Sequence, residues 1–95
     1  MSDLDYLKAK CDQFGNYFFT PGAMRFFNSR IGKVLRIDEN TYRMVTSERM
    51  DMDSPRLYTV REFTVLSDSV RDTVIGEFQQ YTSTREANKH IKDGI

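Results

Sequence analysis

The sequence predicts an α+β fold, a three- or four-stranded antiparallel meander with helices on one face. Near the start of the chain, apolar residues recur at three- and four-residue spacing, which is typical of an amphipathic helix. The middle of the chain is instead rich in β-branched and aromatic residues, in runs separated by short polar turns. Because short links favour pairing between consecutive strands, these runs are expected to form a meander that the helices cover.

The first helix is predicted over about residues 3–14. Ser2 is suited to its N-cap, and Gly15 is suited to its end. Between them, four residues form a narrow apolar stripe: Leu4, Leu7, Cys11 and Phe14. A second, short helix is predicted over about residues 21–29, with Thr20 as its cap and Pro21 at its first position.

The sheet is predicted between about residues 33 and 81. Its strands are expected at 33–37, 41–47, 57–66 and 73–81, and the first of these is also compatible with a loop. The polar segment 48–55 is expected to be an irregular loop, and Gly76 a bulge in the last strand. Strand 57–66 has apolar residues on both sides, so the pattern leaves open which face of the sheet is covered.

A C-terminal helix is predicted over about residues 84–92. Ser83 and Glu86 have the spacing of a capping box, in which each side chain accepts a hydrogen bond from the other residue's backbone N–H. Ala87 and Ile91 are expected to face the core from this helix.

Composition indicates a single globular domain, residues 1–95, and excludes several classes of protein. The 14 basic and 14 acidic residues balance, which argues against a strongly basic nucleic-acid binder. A single cysteine excludes an internal disulfide and a cysteine-rich zinc site. No run approaches the ~18 apolar residues of a membrane span, so no membrane contact is expected.

The segment Gln13–Ile37 contains no acidic residue and carries six of the twelve aromatic residues. Its four cations are Arg25, Arg30, Lys33 and Arg36. One interpretation is a binding face, in which the cations contact phosphates or a protein and exposed rings fill a pocket. The other interpretation, which we favour for the rings, is that they form the core of a small protein without tryptophan.

Catalytic and metal-binding motifs are not recognisable in the chain. His90 is the only histidine, and no nucleophile or orienting acid has a spacing that would serve it. Cys11 lies on the apolar stripe of the first helix, where a buried thiol is expected rather than a reactive one. We therefore expect no enzyme activity, no cofactor and no metal.

Four segments occur in a fixed order along the chain: Phe18–Arg30, Tyr42–Glu48, Arg56–Arg61 and Gly76–Tyr81. Together they resemble a family of small uncharacterised proteins encoded by bacteriophages, plasmids and other mobile elements. The resemblance covers most of residues 17–91 and leaves the first helix outside. It implies an intracellular accessory protein, in the cytoplasm of a bacterial host, that acts on host machinery. Counter-defence, including anti-CRISPR activity, is one role that it implies.

The order of helix, three antiparallel strands and helix is also similar to the double-stranded-RNA-binding domain. That domain's last helix begins with a small residue followed by lysines and alanines, which is matched only loosely by Ser83, Arg85, Ala87 and Lys89. Glu86 and Asn88 interrupt the basic run, which argues against RNA binding.

The sequence thus predicts a non-enzymatic protein that binds a host or viral protein, with a nucleic-acid-binding module as the alternative. The residues expected to contact the partner are Arg25, Arg30, Lys33, Arg36, Arg49 and Arg56. Neither the identity of the partner nor the oligomeric state follows from the sequence.

Overall fold

A four-stranded antiparallel sheet, with its strands in chain order, forms the centre of the computed structural model, which describes residues 2–26, 29–49 and 51–91. The elements are α1 (Asp3–Phe14), α2 (Pro21–Phe26), β1 (Arg30–Arg36), β2 (Thr41–Glu48), β3 (Leu57–Val65), β4 (Val70–Ile75) and α3 (Thr84–His90). Each strand pairs with its neighbour in the chain, so the α+β class and the meander are as predicted.

Helix α1 has the start and the end that the sequence indicates. Ser2 Oγ accepts a hydrogen bond from the backbone N–H of Asp5 at 3.1 Å, and the Asp5 carboxylate accepts one from the Ser2 N–H at 3.4 Å. Gly15 ends the helix at φ 76°, a left-handed conformation that glycine adopts without steric cost. The buried residues of the stripe are Leu7 and Cys11, which fix the helix against the sheet.

The sheet is covered on both faces, which corrects the expectation that the helices share one face. On the face that we call the α1 face, Leu7 of α1 packs in one cluster with Tyr42 and Phe63. On the opposite face, the α3 face, Ala87 of α3 packs with Val45. Since successive side chains of a strand point to opposite faces, every residue from 42 to 48 of β2 is buried. The two-sided apolar pattern of strand β3 has the same cause.

Several element boundaries differ from those predicted. Helix α2 ends at Phe26, and Arg30 already belongs to β1, so the strand begins three residues before the predicted sheet. Strand β4 starts at Val70 and stops at Ile75, because Gly76 adopts φ 83° and turns the chain away rather than forming a bulge within the strand.

Helix α3 returns the chain to the sheet. Tyr81 first forms an isolated bridge with Tyr58, through two backbone hydrogen bonds of 2.8 and 3.0 Å. Ser83 Oγ then accepts from the Glu86 N–H at 3.1 Å, which is one half of the predicted capping box. The Glu86 carboxylate accepts instead from the hydroxyl of Thr82, at 3.3 Å. Ser83 therefore caps the helix, but the capping box is incomplete because the Glu86 carboxylate bonds Thr82 instead of the Ser83 N–H.

The aromatic rings of the acid-free segment are mostly packed on the α1 face. Phe18 and Phe19 lie 5.2 and 5.4 Å from the buried ring of Phe63, measured between ring centroids. Phe14 also packs against this cluster, whereas Tyr17 is 73% exposed. Phe27 lies outside the described residues, and the side chain of Phe26 is not described either, which leaves four rings of the segment. Within the described part, the core interpretation thus holds for three of the four rings.

Helix length also bears on membrane contact. The longest helix, α1, has 12 residues, and none of the helices that the structure describes combines the length and apolar character needed to cross a membrane.

We expect Phe63→Ala to lower the free energy of unfolding by about 3–5 kcal/mol, because it leaves a cavity in the core beside the rings of Phe18 and Phe19. Urea denaturation of both proteins measures this change. Tyr17→Ala is the matched control, since it removes an exposed ring and should change stability by less than about 0.5 kcal/mol. Equal midpoints for the two variants would contradict this account of the core.

Ser83→Ala should lower the free energy of unfolding by about 1 kcal/mol, since the Glu86 N–H loses its acceptor at the start of α3. Ser83→Asn retains an acceptor and should keep most of the stability. Thermal denaturation of the three proteins tests the cap, and a midpoint for Ser83→Ala within error of the parent would refute it.

Candidate functional site

Strand register brings three of the six predicted partner-binding residues to one end of the sheet. Arg30, the first residue of β1, lies opposite Ser47 of β2. Glu48 lies opposite Leu57, so Arg49 and Arg56 stand on either side of the β2–β3 connection at the same end. We call Arg30, Arg49 and Arg56 the arginine cluster.

Arg56 is the member of the arginine cluster that is fixed to the sheet. Its Nη1 donates to the backbone carbonyl and to the hydroxyl of Ser47, both at 3.1 Å. Burial, and next the positive charges of Arg30 and Arg49, lower the pKa of Arg56 below its usual range. The guanidinium is thus held in place at a position where two like charges act on it, and an added anion would relieve that repulsion.

The other two arginines have few partners among the described residues. Arg30 is exposed, and its side chain makes no hydrogen bond or ion pair with any of them. Arg49 donates from Nη2 to the sulfur of Met52 at 3.3 Å, while its buried Nε has no hydrogen-bond partner in the same part of the chain. The Arg30 guanidinium therefore retains donors that a bound group could use, whereas the unpaired Nε of Arg49 is buried.

Two acidic residues near the arginine cluster form their hydrogen bonds and ion pairs with other residues. Asp51 accepts hydrogen bonds from the side chain and backbone of Ser54 and from the Asp53 N–H, and these bonds hold its pKa below the usual range. Glu48 points to the α1 face and pairs with Arg61. Both acids still act on the cluster: Arg49 contributes to the low pKa of Asp51, and the Glu48 carboxylate partly opposes the lowering of the Arg56 pKa.

Two of the remaining predicted cations, Arg36 and Lys33, do not join the arginine cluster. Arg36 lies at the opposite end of β1, where Nε and Nη2 donate to the carbonyls of Asp38 and Glu39 at 3.1 and 3.0 Å. It stabilises the β1–β2 turn and also lies 5.7 Å from the centre of the Tyr42 ring. Lys33 is exposed where the β1 register shifts. Arg25 lies near the end of α2, and its side chain is outside what the structure describes.

A cavity of about 180 Å³ opens between the sheet and the start of α3 on the α3 face. The residues around it that matter chemically are Arg30, Val45, Ser47, Arg56, Tyr58 and Thr84. Two are cationic, three carry a hydroxyl, and no carboxylate lines the cavity in the part of the chain that is described.

A buried polar network on the α1 face was not anticipated from the sequence, which placed Glu48 in a solvated loop. Glu48 is 1% exposed, and its carboxylate is 3.2 Å from Arg61 Nη2. Its two oxygens also accept hydrogen bonds from Thr46 and Thr59, at 2.8 and 3.2 Å. The available signal was alternation: Thr46 and Glu48 continue the inward-facing positions of β2 after Met44.

The connection 76–80 closes over this network. Gln79 adopts φ 57°, which is uncommon for a residue with a side chain, and its N–H donates to Thr59 Oγ1 at 2.8 Å. Phe78 stands 5.7 Å from the Arg61 guanidinium, and Phe18 stands 4.9 Å from it. Arg61 is thus held by two hydrogen bonds and by two aromatic rings, which makes it part of the core.

The candidate catalytic groups lie in packed surroundings. Cys11 is 1% exposed, and burial, with a smaller effect of Asp72, raises the pKa of its thiol from 9.0 to about 11. His90 stacks on Tyr81 with ring centroids 5.1 Å apart. Among the described residues, no group of three histidine, cysteine, aspartate or glutamate side chains is placed to hold a metal ion.

Residues 3–92 match the model of a family of unknown function, DUF7447, and the chain belongs to that family. The match includes α1, which the resemblance seen in the sequence left outside. Neither a curated protein nor a solved structure matches the chain.

Arg61→Met should lower the free energy of unfolding by about 3–5 kcal/mol, because it leaves the Glu48 carboxylate buried without its cation. The double variant Glu48→Gln, Arg61→Met should cost less than the sum of the two single changes, since neither charge then remains alone. Urea denaturation measures all three.

The matched control is Glu62→Gln, which removes the acid of the more exposed Arg43–Glu62 pair and should cost about 1 kcal/mol. If the two single changes at Glu48 and Arg61 were strictly additive in the double variant, the pair would not be coupled and the network would be misassigned.

Proposed function

We propose that this member of a family of unknown function is a non-enzymatic binding protein whose arginine cluster contacts an acidic surface of another protein. The observation that carries the proposal is the convergence of Arg30, Arg49 and Arg56 at one sheet end, where the first two form no ion pair with the described residues. Like charges gathered at a surface repel one another, and a complementary acidic partner removes that cost.

The chemistry of the side chains favours a protein partner. Arginine is enriched at the centres of protein interfaces because its planar guanidinium can bond a carboxylate through two parallel N–H groups. Arg56 is already oriented by Ser47, so less conformational freedom is lost when it binds.

Nucleic-acid binding is the alternative, and the arrangement of charge supports it less. A phosphate backbone is bound by cations that follow it over several nucleotides. Arg36 is bonded to the β1–β2 turn at the far end of the strand, and the chain has no net charge. The fold, with four strands and a second helix before the sheet, also departs from the order of helix, three strands and helix.

The biological setting is proposed from the resemblance of the sequence to proteins of mobile elements. A host or viral protein in the bacterial cytoplasm is the partner that this setting suggests. Counter-defence, including anti-CRISPR activity, is one role within the proposal.

The proposal predicts that Arg30→Glu weakens binding to the partner at least tenfold, because an exposed cation at the interface becomes a repelling acid. Affinity purification from the native host identifies candidate partners, and titration of the purified proteins then measures Kd. Lys8→Glu is the matched control: it makes the same charge change at an exposed residue of α1, away from the arginine cluster, and should leave Kd unchanged.

Two results would contradict the proposal. The first is an equal loss of affinity in Arg30→Glu and Lys8→Glu, which would indicate a response to net charge alone. The second is salt-sensitive binding to unrelated duplexes at physiological ionic strength that Arg30→Glu abolishes, which would favour the nucleic-acid alternative.

A further inference from the structure

The cavity on the α3 face has the chemistry of a small anion site. Arg30 and Arg56 supply the cationic side chains of its lining, and Ser47, Tyr58 and Thr84 supply hydroxyl groups. A carboxylate or phosphoryl group needs several donors converging from different directions, with no acid among them. These five residues come from β1, β2, the β2–β3 connection, β3 and α3, so the donors reach the cavity from the sheet, from a connection and from the start of a helix.

One of the donors is already oriented. Nη1 of Arg56 bonds Ser47 twice, which holds the guanidinium plane at the cavity edge without a ligand. Arg30 stands directly across from Ser47 in the strand register and is exposed, so it is free to turn towards a group entering from solvent. An oriented arginine beside an exposed one provides two guanidinium groups that can donate to the same anion.

A larger cavity elsewhere in the described part of the chain does not have this character. It measures about 370 Å³, lies between α1 and the start of α2, and is lined by both Lys8 and Asp12. The mixture of an ammonium and a carboxylate there does not select for either sign of charge.

We propose that the cavity between Arg30, Ser47 and Arg56 binds one oxyanion group, a carboxylate or a phosphoryl group, carried by a side chain of the partner protein. The inference rests on the proposed function and adds the chemical class of the group that enters. The partner's oxyanion is held between the two guanidinium groups, and its apolar stem lies against Val45 at the cavity wall.

The test is an NMR titration of the intact protein with inorganic phosphate and, separately, with acetate, at constant ionic strength. The NMR chemical shifts of the backbone amides of Gly32, Ser47 and Thr84 are expected to change and to reach saturation as the anion concentration rises. Arg30→Gln should weaken this binding at least fivefold, whereas Lys33→Gln, a loss of the same charge on the same strand outside the cavity lining, should leave it unchanged. Shifts that do not saturate, or that respond equally to both variants, would overturn the proposal.

A second pair of titrations distinguishes the two sources of an oxyanion. N-acetylglutamate amide represents an acidic side chain, and N-acetylphosphoserine amide represents a phosphorylated one. If one of the two compounds binds at least fivefold more tightly than the other, the result supports the oxyanion site and identifies which kind of side chain supplies the oxyanion. Binding of neither, with the same amides unmoved, would count against the site itself.

The outcomes separate this inference from the proposed function. If no anion binds in the cavity but Arg30→Glu still weakens the complex with the partner, the oxyanion site is wrong and the proposed function stands. If anions bind and Arg30→Glu leaves the complex unchanged, the arginine cluster is not the partner surface, and the partner side-chain assignment falls with it.

Discussion

The burial of β2 on both faces is the constraint on which the rest of the structure depends. Because β2 lies between β1 and β3 and is covered by α1 on one side and α3 on the other, none of its side chains from 42 to 48 can remain in water. Burying a polar group without a partner costs free energy, so each polar residue of the strand must find one. Thr46 and Glu48 are satisfied by Arg61, and Arg43 pairs with Glu62.

The same constraint links the core to the proposed binding surface. Ser47 is the last residue of β2 to point towards the α3 face, and Arg56 satisfies both its carbonyl and its hydroxyl. The Arg56 guanidinium is consequently held at this end of the sheet by hydrogen bonds that stabilise the fold. Arg30 and Arg49 lie beside it through strand pairing and chain connection, so the cluster is a product of how the sheet ends.

Local elements could be predicted from the sequence, because their signals lie within a few residues of one another. The Ser2 cap, the Gly15 stop and the Ser83 cap are of this kind. The side of the sheet that each helix covers could not be predicted, because apolar residues on both faces of β3 are compatible with either arrangement.

The sequence named candidate site residues but did not predict which of them lie close together in the fold. The sequence singled out six cations, and only the register shows that Arg30, Arg49 and Arg56 share one end of the sheet while Arg36 is bonded to the turn at the other. Glu48 was wrongly predicted to lie in the 48–55 loop, because a charged residue beside a polar segment is typical of a loop. Its burial depends on Arg61, which is 13 positions away in the chain.

The late position of α3 has a consequence for how the chain folds during synthesis. The four strands pair with sequence neighbours, so the sheet can assemble strand by strand as it leaves the ribosome. The apolar side chains of Val45 and Val60, however, are covered only after Ala87 and Ile91 of α3 have left the ribosome. At a synthesis rate of roughly 5–20 residues per second, the α3 face of the nascent sheet stays exposed to solvent for on the order of seconds. During that time chaperones or other nascent chains can bind this face in place of α3.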